Sequence, residues 1–111
     1  MAKQIKFPYK GKQYTLEYNR ATAKRVETLG FRVGEIDAKP NVMIPLLFAG
    51  AFVMHHPKVF GDQALIDEIF GKLKGRDELL SNLLSMYRET VTSLFEEPEE
   101  DEGNISWGME G

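Results

Sequence analysis

Cysteine is absent from this 111-residue chain, and tryptophan and histidine are scarce, at one and two residues. Without thiols there can be no disulfide scaffold, no thiolate metal site and no cysteine nucleophile, a pattern suited to a reducing compartment. Long apolar runs are lacking too. The longest, residues 42–54, falls short of the roughly 20 residues that cross a bilayer, and Pro45 and Gly50 interrupt it. The opening Met1-Ala2-Lys3-Gln4-Ile5-Lys6 leads into alternating residues rather than an apolar run, so no signal peptide is expected. Together these absences place the expectation in the cytoplasm, with no membrane partner.

Basic residues are missing from one end. From Glu96 onward the chain carries Glu96, Glu97, Glu99, Glu100, Asp101, Glu102 and Glu110 with no Lys or Arg. The remainder holds all 14 basic residues against 10 of the 17 acidic ones, a net of +4 inside an overall −3. An acidic tail on a mildly basic body is a poor match to a polyanion, so nucleic acid is not an expected partner.

Catalytic constellations are also wanting. His55-His56 are neighbours, and adjacent side chains on a regular helix point about 100° apart, which prevents both from chelating one metal. The pair has no evident nucleophile or orienting carboxylate beside it in sequence. Asp62, Asp67, Glu68, Asp77 and Glu78 fall at helix starts and on outward faces, where capping and solvation account for them. Gly11, Gly30, Gly34, Gly50, Gly61, Gly71 and Gly75 are scattered and form no phosphate loop. The expectation is a non-catalytic binding protein with no metal, cofactor or small-molecule substrate.

What the sequence does contain is a clear order of elements within one domain, residues 1–95. Residues 4–18 read as a β-hairpin. With Lys10-Gly11 as the loop, Phe7 faces Tyr14 and Ile5 faces Leu16, so the apolar residues share one face. A lone hairpin is marginal in water, and helices must cover that face. Asn19 is placed to cap a helix over residues 20–29, with Gly30 closing it. The connector 31–39 has no clear period beyond a short extended piece at Phe31-Arg32-Val33.

Residues 42–54 carry no polar side chain, so a helix over 41–55, capped by Asn41 and ended by Pro57, must be surrounded by its own domain or by another chain. Asp62 heads a helix over 62–74, with Leu65, Ile66, Ile69, Phe70 and Leu73 on one stripe. Another follows over 77–95, with Leu79, Leu80, Leu83, Leu84, Tyr87, Val91, Leu94 and Phe95. The Gly75 turn suggests that these two pair in antiparallel fashion. The fold class is therefore mainly α with an N-terminal β-hairpin: a small helical bundle packed on a two-stranded antiparallel sheet. Residues 96–111 hold too few apolar groups to offset the entropy of ordering them and read as a disordered acidic tail. Trp107, with Ile105 and Met109, is the exception there, because tryptophan is a frequent interface anchor. Phe70, Tyr87, Phe95 and Trp107 are the candidate protein-contact residues.

Four features stand together in order along nearly the whole chain. They are the hairpin Ile5-Lys6-Phe7-Pro8-Tyr9-Lys10-Gly11-Lys12-Gln13-Tyr14-Thr15-Leu16-Glu17-Tyr18, and Asn19-Arg20-Ala21-Thr22 leading to Leu29-Gly30-Phe31. Then come Pro45-Leu46-Leu47-Phe48-Ala49-Gly50-Ala51-Phe52 running into His55-His56, and the acidic end Pro98-Glu99-Glu100-Asp101-Glu102-Gly103-Asn104 followed by Trp107. This arrangement resembles a family of small tail assembly chaperones from long-tailed (siphovirus-type) phages and prophages of Gram-positive bacteria.

The resemblance implies a non-catalytic protein of the infected cell that is absent from the finished virion. Such a protein coats the aggregation-prone tape measure protein and helps recruit tail tube subunits. Self-association is expected on separate grounds, since a neighbouring copy can bury one face of the all-apolar 42–54 helix. Many members of that family also have a longer, frameshifted form. The resemblance supplies no binding residues of its own. Two other readings remain open on the residues alone: a structural tail or connector component, and a small nucleic-acid-binding regulator using the basic N-terminal half. In that half nine Lys and Arg up to Lys39 face four acidic residues.

Overall fold

The computed structural model describes residues 3–96 and 105–109. It begins with two strands, β1 (Ile5–Tyr9) and β2 (Lys12–Leu16), paired antiparallel in the expected register, Phe7 opposite Tyr14 and Ile5 opposite Leu16. Lys10 (φ 50°) and Gly11 (φ 77°) both take positive φ, the two-residue turn whose twist matches that of the flanking strands. Narrow and wide pairs alternate from that turn. Pro8, which has no N–H, therefore falls where the backbone N points away from the partner strand.

Five α-helices follow: α1 (Arg20–Thr28), α2 (Pro40–Gly50), α3 (Pro57–Phe60), α4 (Gln63–Lys72) and α5 (Arg76–Thr92). Short 3-10 turns lie at Val33–Glu35 and Ser93–Phe95. Asn19 caps α1 as expected, with its side chain accepting from the Thr22 N–H while the Thr22 hydroxyl accepts from the Asn19 N–H. Gly30 leaves that helix at φ 110°, and Asp62 caps α4 by accepting from the Leu65 N–H.

The central apolar segment differs most from expectation. Its helix is not 41–55, and Asn41 does not cap it. Pro40 opens α2 as its first residue, where a missing N–H costs nothing, and Lys39 is the N-cap without a side-chain bond. α-Geometry stops at Gly50. From there Ala51, Phe52 and Val53 donate to carbonyls three residues back, on Phe48, Ala49 and Gly50. The Ala51 carbonyl turns instead to the Glu17 N–H, at 3.1 Å. Pro57 therefore does not end that helix, and is instead the first residue of α3. Around Val33 the chain forms a 3-10 turn rather than an extended piece, although Arg32 just before it is extended.

The core gathers Leu16, Val26, Phe31, Leu47, Phe48, Phe52, Ile66, Ile69 and Leu83, all at most 2% exposed. α2 is its axis, in contact with α1, α4 and α5. α4 and α5 each pack on α2 rather than chiefly on one another, which corrects the simple antiparallel pair expected from the Gly75 turn. Leu73 is extended and Gly75 left-handed (φ 67°), so the chain changes direction between them. The hairpin's apolar face is covered as required. Tyr14 stacks on Phe7 (5.5 Å between centroids) and meets Phe52 edge-on at 6.0 Å. Of the expected tail, residues 97–104 and 110–111 lie outside the described residues. Residues 105–109 have no regular secondary structure.

Candidate functional site

His55 and His56 hold the outer edge of β2. The Thr15 N–H, pointing away from β1, donates to His56 Nε2 at 3.0 Å. A backbone N–H can only donate, so that nitrogen carries a lone pair and the ring is neutral. Burial is the main cause lowering the His56 pKa, helped by the nearby Lys12 ammonium and by His55. His55 Nε2 lies 2.8 Å from Glu17 Oε1, and Gln4 Nε2 donates to the same oxygen, also at 2.8 Å. The His55 bond, then the Gln4 bond, holds the Glu17 carboxyl below the usual carboxylate range, against the opposing effect of burial.

Glu17, at 5% exposure, is thus the orienting carboxylate missing from the sequence around the histidines. Among the described residues no hydroxyl is hydrogen-bonded to either ring, and no group of three His, Cys, Asp or Glu is placed to hold a metal ion. The arrangement closes a strand edge against unwanted pairing.

Among the described residues, apolar depressions open elsewhere. The larger surface lies between α2 and α5, where adjoining hollows of about 360 and 250 Å³ share Ile44, Asp77 and Leu80. Pro40, Pro45 and Phe70 line one end, and Ile36, Leu47 and Leu84 the other. Ile36, Ile44, Pro45, Leu80 and Leu84 are half-buried, and Val42 nearby in α2 is 58% exposed. The all-apolar segment is therefore not wholly surrounded by its own domain. Arg76 and Asp77 give this trough a polar lip, and the Arg76 guanidinium lies 5.3 Å from the centre of the Phe70 ring. A second groove, of about 250 Å³, lies between α1 and the end of α5, with Ala23, Val91 and Leu94 beside Arg20, Lys24 and Glu27.

The four candidate contact residues do not converge. Phe70 is half-buried at the α2–α5 trough, packed on Phe48 with ring centres 5.0 Å apart. Tyr87 is a core residue, 5% exposed, set edge-on against Phe31 and Tyr18, with its hydroxyl donating to Glu27. Burial first, then Glu27, raises its pKa beyond the ordinary tyrosine range. Tyr87 is thus removed from the list of contact residues, because its own ring is spent on the core. Phe95 and Trp107 are both 82% exposed.

Ile44, Leu80 and Leu84 were missed as a group, although a signal existed. At 100° per residue, Leu80, Leu84 and Val91 form the flank of a stripe wider than the core line of Leu83, Tyr87 and Thr90 needs. Among the described residues no helix is long and apolar enough to cross a membrane. No curated protein and no solved structure matches the chain. A family model described as "Domain of unknown function (DUF5055)" matches residues 1–110, and the chain belongs to that family.

Proposed function

We propose that this protein is a non-catalytic tail assembly chaperone of a long-tailed phage or prophage, acting in the bacterial cytoplasm. It binds an amphipathic helix of the tape measure protein and helps recruit tail tube subunits to it. The observation that carries this reading is the open apolar trough between α2 and α5, formed by Ile36, Ile44, Pro45, Phe70, Leu80 and Leu84. A helix laid in such a trough would bury anchors spaced three and four residues apart while its polar face stayed in water. The order and phrasing of the sequence, from the hairpin to the acidic end, supply the identity of the partner.

Charge supports the same role. Seven acidic residues beyond position 95 repel their counterparts on neighbouring copies, which keeps an assembly on a sticky client dispersed. Val42, exposed on an otherwise apolar helix, offers a further surface for self-association.

The reading is tested by following the protein through infection or prophage induction. It should be abundant in lysates at the time of tail assembly and absent from purified virions. Stoichiometric retention in mature particles would make it a structural tail component instead.

A further inference from the structure

Ile105, Trp107 and Met109 are 90%, 82% and 89% exposed, and they alternate with Ser106 and Gly108. In an extended chain, period-two alternation puts all three on one side, forming a short apolar strip. Leaving three such side chains in water is unfavourable, at about 25 cal/mol per Å² of apolar surface. Among the described residues, nothing covers the groove between α1 and the end of α5. Ala23, Val91 and Leu94 form its apolar part, with Val91 40% and Leu94 63% exposed, and Arg20 and Lys24 stand beside them.

Charge pairs these two surfaces. Arg20 is fixed at the groove by donating from Nε to the Ser93 hydroxyl (3.0 Å) and from a terminal nitrogen to the Ser93 carbonyl (2.9 Å), so its positive charge has a set position. Glu27, which also lines the groove, is engaged by the Tyr87 hydroxyl. In the sequence, Glu99, Glu100, Asp101 and Glu102 stand just ahead of Ile105. An acidic stretch followed by an apolar strip complements a groove that is apolar within and basic at its side.

From these observations we infer that residues 105–109 of one chain seat in the α1–α5 groove of a second copy, forming a head-to-tail contact. The strip and the groove are different surfaces of one molecule, so each copy that accepts a strip still has its own to give. Such a heterologous contact extends into open chains unless its rotation closes a ring. The contact does not depend on the tape measure reading, because it requires only this protein. Nine residue steps from Glu96 to Ile105 reach at most about 30 Å, so the chain's own groove is the competing occupant.

Trp107 is the only tryptophan, so its fluorescence reports on this strip alone. The experiment follows emission of the full-length protein over a concentration series, with sedimentation velocity on the same samples. The expected result is solvent-exposed emission when dilute, moving to the blue as sedimentation increases, with both changes weakened by salt. Leu94→Asp and Lys24→Glu should each abolish the shift. Both positions are exposed, and unchanged circular dichroism would verify that the variants fold. Emission that stays solvent-exposed at every concentration would overturn the inference. So would a blue shift independent of concentration, which would place the strip in its own groove, or a shift that survives both substitutions.

Discussion

Replacing Gly50 by alanine adds one methyl group where α2 meets Val26 of α1 and the ring of Tyr18. A Cβ built there falls inside the Val26 side chain and 2.6 Å from the Tyr18 hydroxyl. Neither neighbour can retreat freely. Val26 is fully buried and β-branched, and the Tyr18 hydroxyl is tied to the Leu47 carbonyl at 2.6 Å. Overpacking of this kind costs about 1–3 kcal/mol, and a displaced, unsatisfied tyrosine hydroxyl adds about 1–3 kcal/mol more. Alanine's better helix propensity returns up to about 1 kcal/mol, and less at the last residue of a helix.

The net is a loss of about 3 kcal/mol, which for a domain of this size lowers Tm by roughly 12–24 °C. Gly71 in α4 is the internal control, because nothing lies within 4 Å of a Cβ added there. Gly71→Ala should leave Tm unchanged or raise it by a few degrees, in line with a gain of up to about 1 kcal/mol. Thermal melts followed by far-UV circular dichroism read both variants. A Gly50→Ala protein that melts with or above the wild type would refute the packing argument.

Acid should weaken the fold in two steps. The His56 pKa is lowered in the folded state, so its contribution is complete above the unfolded value of about 6.5 and drains away as pH falls below it. Glu17, lowered as well, contributes above the usual carboxylate range and loses its effect as pH falls through its folded value. Urea midpoints measured from about pH 7 downward should fall steadily, and His56→Gln, which keeps an acceptor for Thr15, should remove the first step. A midpoint that rises on mild acidification would show the sign to be wrong. At high pH, Tyr18 and Tyr87 should stay protonated while the chain is folded, since burial raises both pKa values. Their stabilising contribution is full below the unfolded value of about 10 and is lost as pH rises beyond it. Phenolate absorbance reaching its four-tyrosine amplitude before the circular dichroism changes would contradict this.

Local rules carried much of the architecture. The hairpin register followed from alternation plus a Lys-Gly turn, because a slip of one residue would have turned Tyr14 and Leu16 to solvent. The Asn19 and Asp62 caps were equally legible, as both satisfy backbone donors within three residues. The apolar segment was harder. Every residue there fits a core, so no polar face marks where α-geometry ends, and the carbonyl just beyond Gly50 is taken by the N–H of Glu17, a residue distant in sequence. The role of Glu17 was not legible for the same cause, since its partners Gln4, His55 and Ala51 are brought together only by the fold. The trough was half visible in the breadth of the α5 stripe. Which part of that stripe the core would leave uncovered depended on where α2 lay.

The proposed binding of a tape measure protein by the α2–α5 trough is tested most directly by co-expressing the tagged chain with the tape measure protein encoded nearby. Wild type, a form lacking residues 96–111, and the half-buried trough substitutions Ile44→Glu and Leu80→Glu are compared. Wild type should yield a soluble complex where the tape measure protein alone aggregates, and the trough variants should stay folded yet lose the client. A tape measure protein that remains insoluble and unbound beside folded wild-type protein, or that co-purifies equally well with both trough variants, would contradict the account.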